Sequence, residues 1–261
     1  MMNNSRNLLK IIIILLSLLV SSNIYAQKRP YIKDKQALRF SWDLVYSEEF
    51  RKNGTIDENW IPQNGAENSI LSSRWRENLR IRYGKLILSN KKENRGGKEW
   101  TSANLISKRK FQYGYFECRM RISRASGINN SFWFSCYEQS NDKPAFEIDA
   151  VEGHYPNIVN CGIHNWGTLV NKNHSSIGEQ YVSDVDLAKR YHIYGLYWDE
   201  NELRFYFDGK LIWSHRNEYC FGYAHILLST AVLGWAGEIT EAIDGTDMRV
   251  DYVRVWTKKN Q

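Results

Sequence analysis

With 17 glycines and 4 prolines in 261 residues, the chain lacks the enrichment that marks collagenous or low-complexity sequences. At 43% hydrophobic and 25% charged it also lacks the composition of a disordered chain. No internal repeat or long linker is visible, and a convincing amphipathic helix hardly occurs. Beyond residue 20 no stretch is apolar enough to cross a bilayer, which needs about 20 such residues. The net charge is only +6, and no Lys/Arg block of the kind that grips nucleic acid is present, so a nucleic-acid partner is not expected. The densest positive segment, residues 74–82, reads as a solvated strand face. Four cysteines allow three disulfide pairings. However, Cys118 alternates with Phe116 and Met120, and Cys136 follows Phe132 and Phe134 at spacing two, so free core thiols are expected.

What the chain has in quantity is aromatic side chains: ten Trp, sixteen Tyr and ten Phe, a surplus that suits sheet surfaces and sugar-stacking grooves. Its first 26 residues read as a signal peptide, with Arg6 and Lys10 before an apolar run over 11–20 and small residues ahead of Gln27. The expectation is a protein exported to the periplasm or beyond and free of the membrane after cleavage. Residues 27–38 read as a loose lead-in, 39–258 as one catalytic domain, and 257–261 as a frayed tail. From Phe40 onward, apolar and polar residues alternate between polar turns, predicting thirteen strands. These cover 43–46, 79–81, 85–90, 102–107, 114–123, 130–137, 145–151, 158–165, 191–198, 202–207, 210–215, 225–231 and 248–255. Asp199-Glu200-Asn201 and Asp208-Gly209 mark tight turns, so 191–215 reads as an antiparallel meander. The fold class is all-β, a sandwich of two antiparallel sheets.

The most informative segment is Phe146-Glu147-Ile148-Asp149-Ala150-Val151-Glu152-Gly153-His154. Glu147 and Asp149 share a face, but in an unbroken strand Glu152, five positions from Glu147, would point to the other side. A β-bulge after Asp149 adds one residue and returns Glu152 to their face. Three crowded carboxyls cannot all ionise at ordinary pH, because like charges push one pKa up and leave another low. That division suits retaining cleavage of a sugar acetal, with Glu147 as nucleophile, Glu152 as the acid that protonates the leaving oxygen, and Asp149 hydrogen-bonded to the nucleophile. An exposed acidic strand face or a hard-cation site remains the alternative. Nearby strands carry polar or aromatic residues opposite apolar ones: Tyr115, Glu117 and Arg119; Ser131, Trp133 and Ser135; Asn160, Gly162 and His164. If these flank the acidic strand, they build a groove that stacks on rings and hydrogen-bonds hydroxyls.

These residues resemble glycoside hydrolase family 16, whose bulged signature Glu-x-Asp-x-x-Glu is matched by Glu147 to Glu152. Glu48-Glu49-Phe50, Trp100-Thr101-Ser102-Ala103, residues 113–119, Ser131-Phe132-Trp133 and residues 250–255 recur in the family order, so the resemblance spans about 42–256. It implies a concanavalin-like β-jelly-roll with an open concave cleft, and endo-hydrolysis of β-1,3 or β-1,4 linkages in a polysaccharide, a glucan or galactan, with retention. Residue by residue, Glu147 falls on the nucleophile, Asp149 on its assistant and Glu152 on the acid/base. Glu117, Arg119, Trp133 and His164 fall on substrate-binding cleft positions. No cofactor carries the chemistry. A structural calcium is optional in the family, and Glu49, the Gly84 carbonyl and Asp251 match its positions.

Three departures bear on the substrate. Asn129-Asn130-Ser131-Phe132-Trp133 lacks the first tryptophan of the laminarinase run, Ser73-Arg74-Trp75-Arg76-Glu77-Asn78 replaces another cleft segment, and Ser229 stands where the family has Asn. Arg74 and Arg76 raise a sulfated galactan as a candidate, since a guanidinium pairs well with sulfate. Transglycosylation on the same site and a non-catalytic, lectin-like binder are the rival functions; the expected partner is polysaccharide and the expected state a monomer.

Overall fold

The computed structural model describes residues 29–35, 39–52 and 54–259. The expected signal segment lies outside the described residues. Among the latter are nineteen strands, beginning with β1 (Trp42–Glu48), β2 (Trp60–Pro62), β3 (Gly65–Ala66), β4 (Ser72–Arg74), β5 (Leu79–Arg82) and β6 (Lys85–Ser89). There follow β7 (Lys91–Arg95), β8 (Lys98–Ser102), β9 (Asn104–Phe111), β10 (Gly114–Arg121), β11 (Ile128–Cys136), β12 (Phe146–His154) and β13 (Ile158–Asn165). The last six are β14 (Ser175–Val182), β15 (His192–Trp198), β16 (Glu202–Phe207), β17 (Lys210–Arg216), β18 (Ala224–Val232) and β19 (Asp247–Lys258).

Two large antiparallel sheets form the sandwich. One has the order β14-β13-β12-β11-β18-β9-β2; the other runs β17-β16-β15-β10-β19-β6-β5, with β1 added on β19. The first carries the acidic strand and is called the cleft sheet below; the second is the outer sheet. A third, small sheet, β3-β4-β8-β7, was not expected, and neither was β14. Their sequences explain why: β7 (KKENR) and β14 (SSIGEQYV) are largely exposed and polar, with no apolar stripe to mark a period.

The alternation does what its period requires. Phe116, Cys118 and Met120 of β10 face Phe132 and Phe134 of β11 and Ile148 of β12 across the sandwich, all fully buried in one cluster. Phe116 and Phe134 meet edge-on with ring centroids 4.9 Å apart, a geometry that adds to the burial of their area. All four cysteines are buried and free.

Both chain ends depart from expectation. Ile32 of the lead-in is buried against Tyr115, Tyr197, Tyr206 and Trp256 on the outside of the outer sheet. There the Lys33 amide donates to the Gly209 carbonyl at 2.9 Å, and Arg204 pairs with Asp34 at 3.1 Å. Thr257 and Lys258 are not frayed but extend β19 against β1. An aromatic-rich outer face gives the lead-in apolar area to cover, which a reading of local polarity misses.

Removing the ring of Phe134 leaves a cavity at the centre of this interface. Phe134→Ala should lower stability by about 3–5 kcal/mol, read as a shift in the urea unfolding midpoint; a loss under 1 kcal/mol would show that the two sheets do not depend on this contact.

Candidate active site

β12 is the strand on which the site is built. On β11 its register runs Phe132 to Val151 and then Trp133 to Asp149, which leaves Ala150 without an opposite residue. On β13, Asp149 faces Gly162 and Glu152 faces Asn160, three steps on one strand against two on the other. Ile148, Ala150 and Val151 all point into the core. Two adjacent inward side chains are possible only if the pleat slips by one, and the slip returns Glu152 to the face of Glu147 and Asp149. The expected bulge is there, with Ala150 as its extra residue.

Gly162 makes room for the central acid. A Cβ at that position would lie 3.0 Å from Asp149 Oδ2 and 3.4 Å from His164 Nε2, tighter than ordinary van der Waals contact. His164, opposite Glu147 on β13, places Nε2 3.2 Å from Asp149 Oδ2 and 4.0 Å from Glu147 Oε1. These three side chains hold their ligand atoms within 4.8 Å of one another.

Electrostatically the trio departs from the expectation of one high and one low pKa. Burial first, then the charge of Asp149, pushes the Glu147 carboxyl up to about 8, while His164 and a hydrogen bond from Trp166 pull the other way. Asp149 is pushed well above the usual carboxylate range by its complete burial and by Glu152. Glu152 is raised by burial and partly restrained by a hydrogen bond from Asn129. Desolvation acts on all three acids, so none escapes downward; the most deeply buried, Asp149, is the best placed to keep its proton.

Hollows lie on both sides of the trio. One of about 310 Å³ is lined by Glu152, Asn160, His164, Gln180 and Trp235, and another of about 380 Å³ by Ser135, Tyr137, Gln139, Glu147 and Trp166. Trp166 and Trp235 are 41% and 55% exposed, which leaves a ring face for a sugar on either side. Trp133 sits on the cleft face of β11 and donates its indole N–H to Ser229 Oγ at 3.1 Å. The sequence reading missed both exposed tryptophans. Trp166 continues the alternation of Asn160, Gly162 and His164 and was within reach of that reading. Trp235, on a short 3-10 turn, Gly234–Ala236, gave no periodic signal.

Glu117 and Arg119 are not in the cleft. Their strand, β10, pairs with β15 and β19 in the outer sheet, not with β12. Glu117 is buried under the lead-in, accepting from the Tyr31 amide and the Tyr252 hydroxyl, each at 2.7 Å. Arg119 pairs with Asp251. Alternation identifies the face of a strand that turns from the core, but both sheets of a sandwich have such a face, and only strand pairing tells which one borders the acids.

Of the residues matching the calcium positions, Asp251 lies at a break in strand pairing. β19 pairs with β6 up to Val250 and with β1 from Val253, so Asp251 falls in the gap between the ends of those two strands. Yet the donor set does not fit a hard cation. Glu49 Oε1 accepts from Arg254 Nε at 2.7 Å, and Asp251 is bound by Lys85 at 2.5 Å and by Arg119. Side-chain cations already neutralise both carboxylates, so Glu49 and Asp251 are members of ion pairs.

A two-sheet β-sandwich with an acid trio on one face, aromatic platforms on both sides of it and no nucleophilic Ser or Cys among its members is the architecture of a carbohydrate-cleaving hydrolase. Comparison with known proteins gives the family. The sequence profile for Glycosyl hydrolases family 16 matches residues 58–254, and the chain belongs to that family. It is 29% identical over 254 residues to a beta-glucanase of Rhodothermus marinus, covering 82% of this chain and 85% of that one. Similarity to the kappa-carrageenase of Pseudoalteromonas carrageenovora is 26%, over 74% of this chain and 59% of the other. The catalytic domain of an endo-1,3-beta-glucanase (laminarinase) from Thermotoga petrophila superposes with a TM-score of 0.73 at 25% identity, covering 85% of this chain and all of that domain. The protein is an O-glycosyl hydrolase, an endo-acting β-glycosidase of polysaccharides.

A carboxyl whose pKa is raised by folding favours the folded state while it is protonated. That contribution is complete below its unfolded value of about 4.3 and is lost as pH climbs towards the folded value. Glu147→Gln removes the ionisation and should therefore raise the melting temperature at pH 8, by the equivalent of about 1–3 kcal/mol, and raise it less at pH 5. An equal or negative change at pH 8 would contradict the burial cost assigned to Glu147.

Proposed function

We propose that the protein is a retaining enzyme in which Glu147 attacks the anomeric carbon while Glu152 gives its proton to the departing glycosidic oxygen. The observation that carries this reading is the bulge at Ala150, which gathers the three acids on one face between two open hollows. In the first step the C–O bond breaks, a glycosyl–Glu147 ester forms, and Glu152 is left ionised. In the second, Glu152 takes a proton from water, whose oxygen displaces Glu147. Two inversions restore the original configuration. Asp149, which retains its proton, stabilises Glu147 in the intervals when that group is ionised. His164 holds Asp149 from the β13 side.

The substrate reading narrows to a neutral β-1,3- or β-1,4-linked polymer. Sulfate recognition rested on Arg74 and Arg76, and each is already paired with a carboxylate. Arg74 Nη1 contacts Glu67 at 2.8 Å and Gln63 at 2.9 Å; Arg76 makes a two-pronged bond to Asp57 at 2.7 and 2.9 Å. A bound sulfate would have to displace those carboxylates. Arg6, Lys10 and the apolar run that follows support action outside the cytoplasm.

Four measurements test these proposals. Proton NMR of the first-formed reducing end should show the β-anomer ahead of mutarotation; initial α-anomer would rule out double displacement. Glu152→Gln should reduce kcat on polysaccharide by on the order of 10²–10⁴-fold. The pH profile should be a bell displaced upward. Rate must rise as Glu147 ionises, above the ordinary ~4.3 of a glutamate, and fall as Glu152 loses its proton; an acid limb at or below 4.3 would oppose the assignment. On substrates, kcat/KM for laminarin or mixed-linkage glucan should exceed that for kappa-carrageenan by at least about tenfold, and the reverse order would return Arg74 and Arg76 to sulfate binding.

A further inference from the structure

Glu152 is tied to the edge of the cleft sheet by a train of side chains that the chemistry above does not use. Asn129 Nδ2 donates to Glu152 Oε1 at 2.5 Å. Its carbonyl Oδ1 lies 3.2 Å from His154 Nε2, His154 Nδ1 lies 3.3 Å from Asn160 Nδ2, and Asn160 Oδ1 accepts from Gln180 Nε2 at 3.0 Å. Only one assignment of donors satisfies every link. A carboxylate oxygen requires the NH₂ of Asn129, which turns the Asn129 carbonyl towards the imidazole. Nε2 must then carry a hydrogen and Nδ1 must present a lone pair to the NH₂ of Asn160. A second ring proton would set N–H against N–H. His154 and Asn129 are 4% and 6% exposed, and the edge of the Trp235 indole caps the imidazole, with ring centroids 4.3 Å apart.

We propose that Asn129, His154 and Asn160 are positioning residues: a brace of neutral hydrogen bonds that holds Glu152 Oε1 as an acceptor in both charge states and so reserves Oε2 for the proton passed to the leaving oxygen. This rests on the reading of Glu152 as acid/base. Burial alone lowers the His154 pKa to about 4, so the ring stays neutral through the working range, consistent with the donor assignment. The brace keeps a charge away from an acid that already faces Glu147 and Asp149 on its own strand and His164 on β13. β11 and β18 turn only neutral side chains towards it, Ser131, Trp133 and Ser229 among them.

The test uses the intact enzyme, neutral polysaccharide and an aryl β-glycoside whose phenolate leaves without help from an acid. Asn129→Ala removes the donor that favours ionised Glu152 and His154→Ala releases that donor from its orientation, so the alkaline limb of kcat/KM on polysaccharide should move up by about one pH unit, with a fall of about tenfold at the optimum. On the aryl glycoside the same variants should lose less than about threefold, because proton donation no longer limits the rate. His154→Gln supplies one amide donor and one acceptor and should restore both the limb and the rate in large part. Equal losses on both substrates, or an unmoved alkaline limb in folded variants, would overturn the brace. Glu152→Gln separates the two proposals: it should cut polysaccharide cleavage by about the same 10²–10⁴-fold yet leave formation of the glycosyl-enzyme from the aryl glycoside measurable as a burst of phenolate. If Glu152→Gln instead cleaves polysaccharide normally, the acid/base reading fails; if it behaves as stated while the brace variants keep a wild-type profile, the brace alone fails.

Discussion

The site depends on a phase error of one residue in β12. A sandwich strand has to send every second side chain into the core, and from Phe146 to Ile148 this one does. Had the period continued, Ala150 and Glu152 would point inward, and a carboxylate would be buried among Phe132, Val159 and their neighbours at a cost of several kcal/mol. The chain instead turns both Ala150 and Val151 inward. Ala150 is small enough to take the extra place without overfilling a close-packed interior. Gly162, opposite Asp149 on β13, leaves the space into which the central acid fits. Core packing and the proposed chemistry therefore demand the same irregularity, one because apolar residues must be inside and the other because three acids must be outside.

That common demand explains why the acidic strand was legible from its sequence while only part of the groove around it, Trp133 and His164, was. Five positions between Glu147 and Glu152 contradict a strict two-residue period, so the kink could be inferred from residue order alone. Glu117 and Arg119 obey the period perfectly, but the period does not say which sheet holds β10. Long-range pairing decides that, and it sets β10 between β15 and β19. His154 was hidden for a related reason. Its partners Asn129 and Asn160 are 25 and 6 positions away and become neighbours only when β11, β12 and β13 align. The polar strands β7 and β14 left no trace because exposed edges are free of the apolar constraint that makes strands readable.

The same burial that makes the acids useful makes them expensive. The pKa values of Glu147, Asp149 and Glu152 are all raised, with desolvation as the leading cause for each. A site that only had to bind sugar would gain nothing from such a cluster, since hydroxyl groups are recognised as well by neutral donors and acceptors. The surrounding polar groups offset part of the cost without adding charge: the Trp166 indole N–H at Glu147 and the Asn129 amide at Glu152. Neutral donors stabilise an ionised carboxylate when it forms but do not force it to form, so Glu147 and Glu152 can each change charge in the proposed cycle.

On the outer sheet the balance of charge is settled differently. β19 bridges β1 and β6, which pair with the same edge of it at successive positions, and the junction at Asp251 has no backbone partner from either strand. Lys85 and Arg119 converge on Asp251, while Arg254 holds Glu49, so fixed cations close the junction by side-chain bonds. Their heads are tethered to β6, β10 and β19 themselves, so the ion pairs join these strands through side chains. The Lys85 and Arg119 side chains are also partly exposed, at 31% and 35%, where salt screens attraction strongly. The outer sheet thus relies on charges that water moderates, whereas the cleft sheet keeps its acids dry; the separation of those two environments across one hydrophobic core lets a mildly basic protein hold an acidic site.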